Sequence, residues 1–316
     1  MIIKKLGIAM MATALSMGVA CSGAQAADAK IAVILKTLSS QYWKIVAAGA
    51  QDAAKKHDVE LILLGPPTED AVEQQINMVQ DALAQEPDAL VFSPSQPATA
   101  MGVLDDAARQ EVPVLLIDTG MPEGYTNYET YIGTDNFAAG KAGGQALAEK
   151  LKAGDRIVLL DGAPGNPTMT ERCDGAAEVL KEAGMVIAAR QPAYSDREKA
   201  YTAMQNILQS DPDIAGVFAG NDEEALGAMR ALQQRGKEDV PVIGVDANEE
   251  NLKAILAGDL YGSVAQGNYD MGYMGIEKAL EVIGGGTIDK RIDSGATMIT
   301  KDNAQKLLDD RAKMSQ

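Results

Sequence analysis

The sequence predicts an α/β protein of two similar lobes, each built on a parallel sheet with helices on both faces. Three observations carry that expectation. Short runs rich in leucine and β-branched residues recur, with starts 29, 29 and 25 residues apart in one set and 30, 29 and 27 in another. Amphipathic stretches fill the intervals, which suits a strand, a helix and two short loops, repeated. The series breaks once, between Ile117 and Arg156, with matched repeats on each side. Alternating strands and helices put parallel strands under helical cover.

The first set of predicted strands covers residues 31–35, 60–64, 89–92 and 114–117. Residues 71–84 between them read as a helix, because Val72, Ile76, Val79 and Leu83 share one face. The break contains a Gly/Thr/Asn-rich stretch, 119–136, and then a helix near 137–151. The second set covers 156–160, 186–190, 215–219 and 242–245. One more unit follows: a strand at 261–265, a helix at 269–283 and Gly284-Gly285-Gly286. This tail is expected to cross between the lobes.

Composition removes whole classes of function. With 316 residues the chain suits about two domains. Lys+Arg 28 against Asp+Glu 45 gives a net charge of −17, which excludes a sequence-independent grip on nucleic acid or anionic lipid. Two cysteines and one histidine cannot build a Cys/His metal site or a disulfide framework, so neither metal nor cofactor is expected. Residues 1–26 read as an export signal, with Lys4 and Lys5, an apolar run over 6–20 and Ala24-Gln25-Ala26 at the cleavage point. Cleavage after Ala26 leaves a net charge of −19 and Cys173 as the one thiol. The rival is a lipobox, Gly18-Val19-Ala20-Cys21, with Cys21 acylated, although Gly18 is a poor residue there.

Ligands of open α/β sheets bind beyond the carboxyl ends of the strands. After the first strand come Ser39, Ser40, Gln41, Tyr42 and Trp43; after the fourth, Asp118; after the fifth, Asp161 and the loop 162–170. Asn221 and Asp222 follow the seventh strand, Asp246 and Asn248 the eighth, and Gln266 the ninth, with Arg172 just inside a helix. Paired donors and acceptors of this kind suit a hydroxyl-rich ligand, and an aromatic face suits the apolar face of a sugar ring. Each residue also has a plainer reading. Asp222 is a candidate helix N-cap, Tyr42 and Trp43 are candidate core, and a lone Arg172 belongs more often at a surface.

Familiar catalytic patterns are missing. There is no Gly-x-Ser-x-Gly elbow, no Walker loop and no dinucleotide glycine fingerprint at a strand–helix junction. Gly140-Lys141 is followed by Ala142, without the hydroxyl a phosphate loop needs. His57 reads as a solvated cation at a helix end, and Cys173 as a buried small residue. Asp118 and Asp246 as a glycosidase acid/base pair is a rival with nothing further to prompt it.

At these residues the sequence resembles the ribose-binding family of bacterial periplasmic sugar-binding proteins, across nearly the whole mature chain. The stretches that carry the likeness are 35–43 (LKTLSSQYW), 133–136 (GTDN), 191–197 (QPAYSDR), 217–223 (VFAGNDE), Val245-Asp246 and 264–266 (VAQ). The opening stretch looks closest to the allose-binding branch. The resemblance implies a periplasmic binding protein of type I: two Rossmann-like lobes joined by a three-strand hinge, closing on one small molecule. It implies a signal peptide at 1–26, an N-terminal lobe of 27–134 plus 267–295 and a C-terminal lobe of 135–266 plus 296–316. It implies ligand contacts from Ser40, Tyr42, Trp43 and Asp118 in the first lobe, and from Arg172, Asn221, Asp246 and Gln266 in the second lobe or hinge. Tyr194 would supply an aromatic that the family usually places near 194–195. The implied protein is a periplasmic, non-enzymatic monomer that delivers a small polyhydroxylated ligand to the permease of an ABC importer. The alternative is a sensor that passes a sugar to a chemoreceptor or kinase. Two departures bear on the ligand. Ser40-Gln41-Tyr42 stands where many sugar binders carry Asn-Pro-Phe, and Asp118-Thr119 where ribose binders carry Asp-Arg. The missing arginine fork puts ribose in question; a hexose, a rarer sugar, a polyol or a cyclitol fits as well.

Overall fold

The computed structural model describes residues 29–314. The expected export signal, the cleavage point at Ala26 and Cys21 lie outside the described residues. The first lobe begins with β1 (Lys30–Ile34), α1 (Gln41–Lys56), β2 (Glu60–Leu64) and α2 (Val72–Leu83). It continues through β3 (Ala89–Phe92), α3 (Pro97–Arg109), β4 (Val114–Ile117) and β5 (Thr130–Gly133). The second lobe takes α4 (Asn136–Ala148), β6 (Arg156–Asp161), α5 (Pro167–Glu182), β7 (Val186–Pro192) and α6 (Arg197–Ser210). After these come β8 (Ile214–Ala219), α7 (Asp222–Gln233), β9 (Val242–Asp246), α8 (Glu249–Ala257) and β10 (Gly262–Gln266). The chain then returns to the first lobe for α9 (Asn268–Ile283) and β11 (Arg291–Asp293). It ends in the second with β12 (Ala296–Ile299) and α10 (Ala304–Met314).

The two sheets repeat one plan, β2-β1-β3-β4-β5-β11 and β7-β6-β8-β9-β10-β12. Every pairing is parallel except that of β12, which runs antiparallel to β10. Alternate side chains of each strand point to opposite faces, and both faces are buried. In the first lobe Ile31, Val33 and Val91 pack toward α1 and α9, while Ala32, Ile34 and Leu90 pack toward α2 and α3. Burial on both faces is why the strands read as nearly continuous apolar runs.

Four elements carry too little pattern to be read from the sequence. β5 (TYIG) has no continuous apolar run and hides inside the Gly/Thr/Asn-rich stretch. β11 and β12 are three and four residues long and largely exposed, so burial imposes almost no apolar signature on them. α10 is a short polar helix that buries only part of its surface against the second lobe.

Three crossings join the lobes, after β5, after β10 and after β11. They lie side by side. Ser294 N–H donates to Gly133 O at 3.0 Å, and the Thr134 and Ser294 hydroxyls pair at 3.1 Å. A Cβ on Gly267 would collide with Ser294 O, so glycine is what allows the second and third crossings to touch. At the cleft rim, buried Gln75 of α2 ties the chain leaving β1 to the chain leaving β3. Its Nε2 donates to Leu35 O (3.0 Å) and Ser93 O (2.8 Å), and its Oε1 accepts from Ser95 N–H (2.9 Å).

Candidate functional site

Between the lobes, at the carboxyl ends of both sheets, lies a cavity lined by side chains of both. Ser40, Tyr42, Trp43, Asp118, Arg172, Asn221, Asp246 and Gln266 all line it. Tyr194 does not. Its ring is 38% exposed, with Lys199 Nζ 4.6 Å from the ring centre, and the neighbouring Ser195 lines the cavity instead. The turn at Tyr194 and Ser195 is left-handed at both residues (φ 62° and 55°), which directs the two successive side chains differently from a strand.

On the first-lobe side, Asp118 directly follows β4, with φ 62°. Tyr131 holds that backbone by donating its hydroxyl to Asp118 O at 2.9 Å. The carboxylate is largely engaged by the protein. Oδ1 accepts from Tyr42 OH (2.8 Å), and Oδ2 accepts from Thr119 Oγ1 (2.7 Å) and pairs with Lys36 Nζ (2.9 Å). A carboxylate oxygen takes about two donors, so Oδ1 retains room for one more. Burial pushes the Asp118 carboxyl up, but Lys36 and Arg172 outweigh it and hold the group below the usual carboxylate range.

The second-lobe side is less committed. Helix α5 packs so closely on α4 that a Cβ on Gly140 would strike Arg172 O, and that contact seats Arg172 at the cleft. Gly140 is thus a helix-packing residue. Arg172 Nε donates to Asn136 Oδ1 (2.9 Å), and Nη1 donates to Gly220 O (3.0 Å) and lies 3.7 Å from Asp246 Oδ1. Asp246 Oδ1 also accepts from Gln266 Nε2 at 2.7 Å. Among the described residues nothing engages Arg172 Nη2 or Asp246 Oδ2. Burial pushes the Asp246 carboxyl up to about 7, against the pull of Arg172 and Gln266. A donor fork and an open carboxylate oxygen side by side are what a pair of vicinal hydroxyls needs.

Two helix-start residues face the cavity without capping. Ser40 precedes α1 and Asn248 precedes α8, yet neither side chain bonds its helix, and Ser40 Oγ and Asn248 Oδ1 are buried with no protein partner. At α7 the cap is Asn221, whose Oδ1 accepts from Glu224 N–H at 3.0 Å. The N-cap reading of Asp222 is therefore corrected: Asp222 is the first helical residue and fully buried.

Trp43 and Tyr42 belong to the first-lobe core and also wall the cavity. Their rings meet edge to face at 4.9 Å, and Trp43 Nε1 donates to Glu69 Oε1 at 2.7 Å. Sequence reasoning missed Lys36, Glu69 and Ser195 as lining residues. Lys36 sits inside the stretch 35–43, Glu69 lies in Thr68-Glu69-Asp70 after β2, and Ser195 adjoins the Tyr194 that was expected in its place. Cys173 is buried and its thiol pushed well up by burial, which leaves it unreactive.

Several contacts between the lobes cross the mouth of the cleft. Lys199 pairs with Asp70 at 2.8 Å, Glu249 N–H donates to Gln41 Oε1 at 2.8 Å, and Gln96 Nε2 donates to Pro164 O at 3.1 Å. Behind the cavity Glu224 accepts from Ser195 N–H at 2.9 Å, while its Oε2 has no partner. Burial pushes this carboxyl up to about 8 from 4.5. The folded state therefore keeps a proton that the unfolded chain has released between those values. The resulting stabilisation is complete below about 4.5 and lost as pH rises through about 8. Glu224→Gln should match wild type in urea melts near pH 5. Near pH 8 it should exceed wild type by several kcal/mol, at ~1.4 kcal/mol for each pH unit separating the folded and unfolded values. Parallel stability curves for the two proteins from pH 5 to 8 would refute this.

A profile of the periplasmic binding protein domain matches residues 31–287. The ribose import binding protein of Escherichia coli (strain K12) is 32% identical over 298 residues, 94% of this chain and 99% of that protein. The D-allose-binding periplasmic protein of the same organism is 30% identical, covering 82% and 86%. Among solved structures, a carbohydrate transporter solute-binding protein from Agrobacterium radiobacter in complex with D-arabinose superposes with a TM-score of 0.84 at 31% identity, covering 90% and 98%. An ABC transporter solute-binding protein from Actinobacillus succinogenes with bound D-allose gives 0.83 at 27% identity, covering 88% and 100%. Repeated lobes, a three-crossing hinge and an interlobe cavity agree with these likenesses, and the chain belongs to the periplasmic binding protein family.

Proposed function

We propose that this protein captures one small polyhydroxylated molecule, a monosaccharide, polyol or cyclitol, in the interlobe cavity and delivers it to the membrane permease of an ABC importer. It works in the periplasm and catalyses no reaction. The observation that carries this reading is the pairing of Arg172 with Asp246, Nη1 to Oδ1 at 3.7 Å, in the lining of a cavity whose other wall includes the rings of Tyr42 and Trp43. Names of relatives agree: two are import or binding proteins for ribose and allose, and two structures hold D-arabinose and D-allose. The acceptors Asp246 Oδ2 and Asn248 Oδ1 with the donor Arg172 Nη2 match hydroxyl groups, each of which gives and takes a hydrogen bond.

A thermal-shift screen of D-ribose, D-allose, D-arabinose, xylitol and myo-inositol tests the reading. A ligand at 100 times its Kd adds ~2.7 kcal/mol, enough to raise the melting temperature by several degrees. Small-angle scattering with the stabilising ligand should show a smaller radius of gyration than without it, because closure brings the mouth contacts together. No shift with any neutral polyol, or an unchanged radius at saturation, would count against capture by closure.

A further inference from the structure

Among the described residues, consecutive non-glycine residues adopt left-handed backbone at only two places, Tyr194–Ser195 and Asp246–Ala247, and both flank the cleft. At the second, Asp246 has φ 117° and Ala247 has φ 51°. Backbone of this kind persists only where its surroundings over-determine it. Here they do. Ala247 N–H donates to Ser263 Oγ at 2.9 Å, and Asn248 N–H donates to Asp222 Oδ2 at 2.6 Å. Ser263 Oγ in turn donates to Asp222 Oδ1 at 2.6 Å. From the other side Arg311 of α10 donates to Ala247 O, and its Nη2 reaches Asp246 O at 3.5 Å. Asp222 lies flush on β9, where a Cβ on Gly244 would collide with Oδ1. None of Asp222, Ser263 and Arg311 lines the cavity.

We propose that Asp222, Ser263 and Arg311 are positioning residues for ligand binding. They hold the strained turn at 246–248 so that the Asp246 carboxylate and the Asn248 amide point into the cavity. Resting on the reading of the cavity as the ligand site, this adds a role for residues that no ligand touches. All three holders and the turn belong to the second lobe, so opening of the cleft leaves the arrangement intact. The second-lobe half of the site is thus set before ligand arrives, and binding does not have to order it. The polar helix α10 acquires a function by the same geometry: it carries Arg311 to the back of the turn.

The test uses Arg311→Met and Ser263→Ala, each alone and each with Ala247→Gly, in the full-length mature protein. Glycine adopts φ near 51° without strain, so it should hold the turn where a holder has been lost. Affinity is measured by calorimetry with whichever of D-ribose, D-allose, D-arabinose and myo-inositol binds wild type. Hydrogen–deuterium exchange of the ligand-free protein is followed in a peptide containing Ala247 and Asn248. Each single variant is expected to raise Kd about tenfold and to speed exchange of that peptide; adding Ala247→Gly should recover about threefold or more in Kd and slow the exchange again. A Kd within about twofold of wild type in both single variants overturns the proposal, and so does a loss that glycine fails to recover. Should none of the four compounds bind wild type, the sugar reading falls, while exchange alone still decides the positioning role: unchanged exchange in both variants refutes it.

Discussion

Arg172→Ala should raise the Kd for the ligand at least ~100-fold, measured by calorimetry at a temperature where circular dichroism shows the variant folded. The side chain is 3% exposed and joins four partners, Asn136, Met169, Gly220 and Asp246. Its removal withdraws the Nη2 donor and leaves the buried Asp246 carboxylate without the guanidinium that lies 3.7 Å from its Oδ1. Truncating one member of a buried hydrogen-bonded charge pair costs ~2–5 kcal/mol, most of it from the charge left behind. The Asp246 carboxyl, already at about 7, then moves further up, so the residual affinity of the variant should fall as pH drops from 8 to 6. By contrast Lys199→Ala removes a mouth contact that is exposed to solvent, and should change Kd less than about fivefold. Equal losses for the two variants would show that closure contacts, and not the Arg172–Asp246 pair, set the affinity.

Trp43→Ala should destabilise the protein by ~3–5 kcal/mol in urea melts, because a fully buried ring is replaced by a cavity. Trp43 is 2% exposed, packs within the first-lobe core and satisfies Glu69 through Nε1. Burial already pushes the Glu69 carboxyl up; without the indole donor it rises further. Trp43→Phe keeps most of the packing but not that donor, so it should lose less stability than Trp43→Ala. A destabilisation below ~1 kcal/mol in Trp43→Ala would mean that the ring lies free in the cleft and is no part of the core.

The repeated strand spacing made the two-lobed α/β plan legible because each buried strand must be apolar along its whole length. What stayed hidden was short or exposed. Thr130–Gly133 (TYIG) lacks the unbroken apolar run of the equally short β3 and β4, and Arg291–Asp293 buries too little to need apolar side chains. At the site, reading strand ends found Asp118, Arg172 and Asp246, because chemistry-bearing residues at that edge have few structural reasons to be charged. It said nothing of Tyr194, an expectation that came from the resemblance; the turn there is left-handed at both Tyr194 and Ser195, and Ser195 lines the cavity instead, a difference no periodicity records. Nor could it weigh Asp118 against Asp246. The first is engaged by Tyr42, Thr119 and Lys36, from elements scattered along the chain, and only their meeting in space shows that the second is the freer acceptor. Lys36 shows the same thing: a lysine following a strand reads as a surface residue, yet it is 2% exposed against Asp118.

Capture of a hydroxyl-rich ligand between the lobes can be followed through the emission of Trp43, the one tryptophan of the chain, during titration with the neutral compound that shifts the melting temperature. The ring walls the interlobe cavity, so a ligand seated there changes the surroundings of the indole and of its Glu69 partner. A saturable spectral change is expected, ending at one equivalent and yielding the same Kd as calorimetry. Calorimetric saturation with the Trp43 spectrum unchanged would place the ligand elsewhere and contradict capture in this cavity.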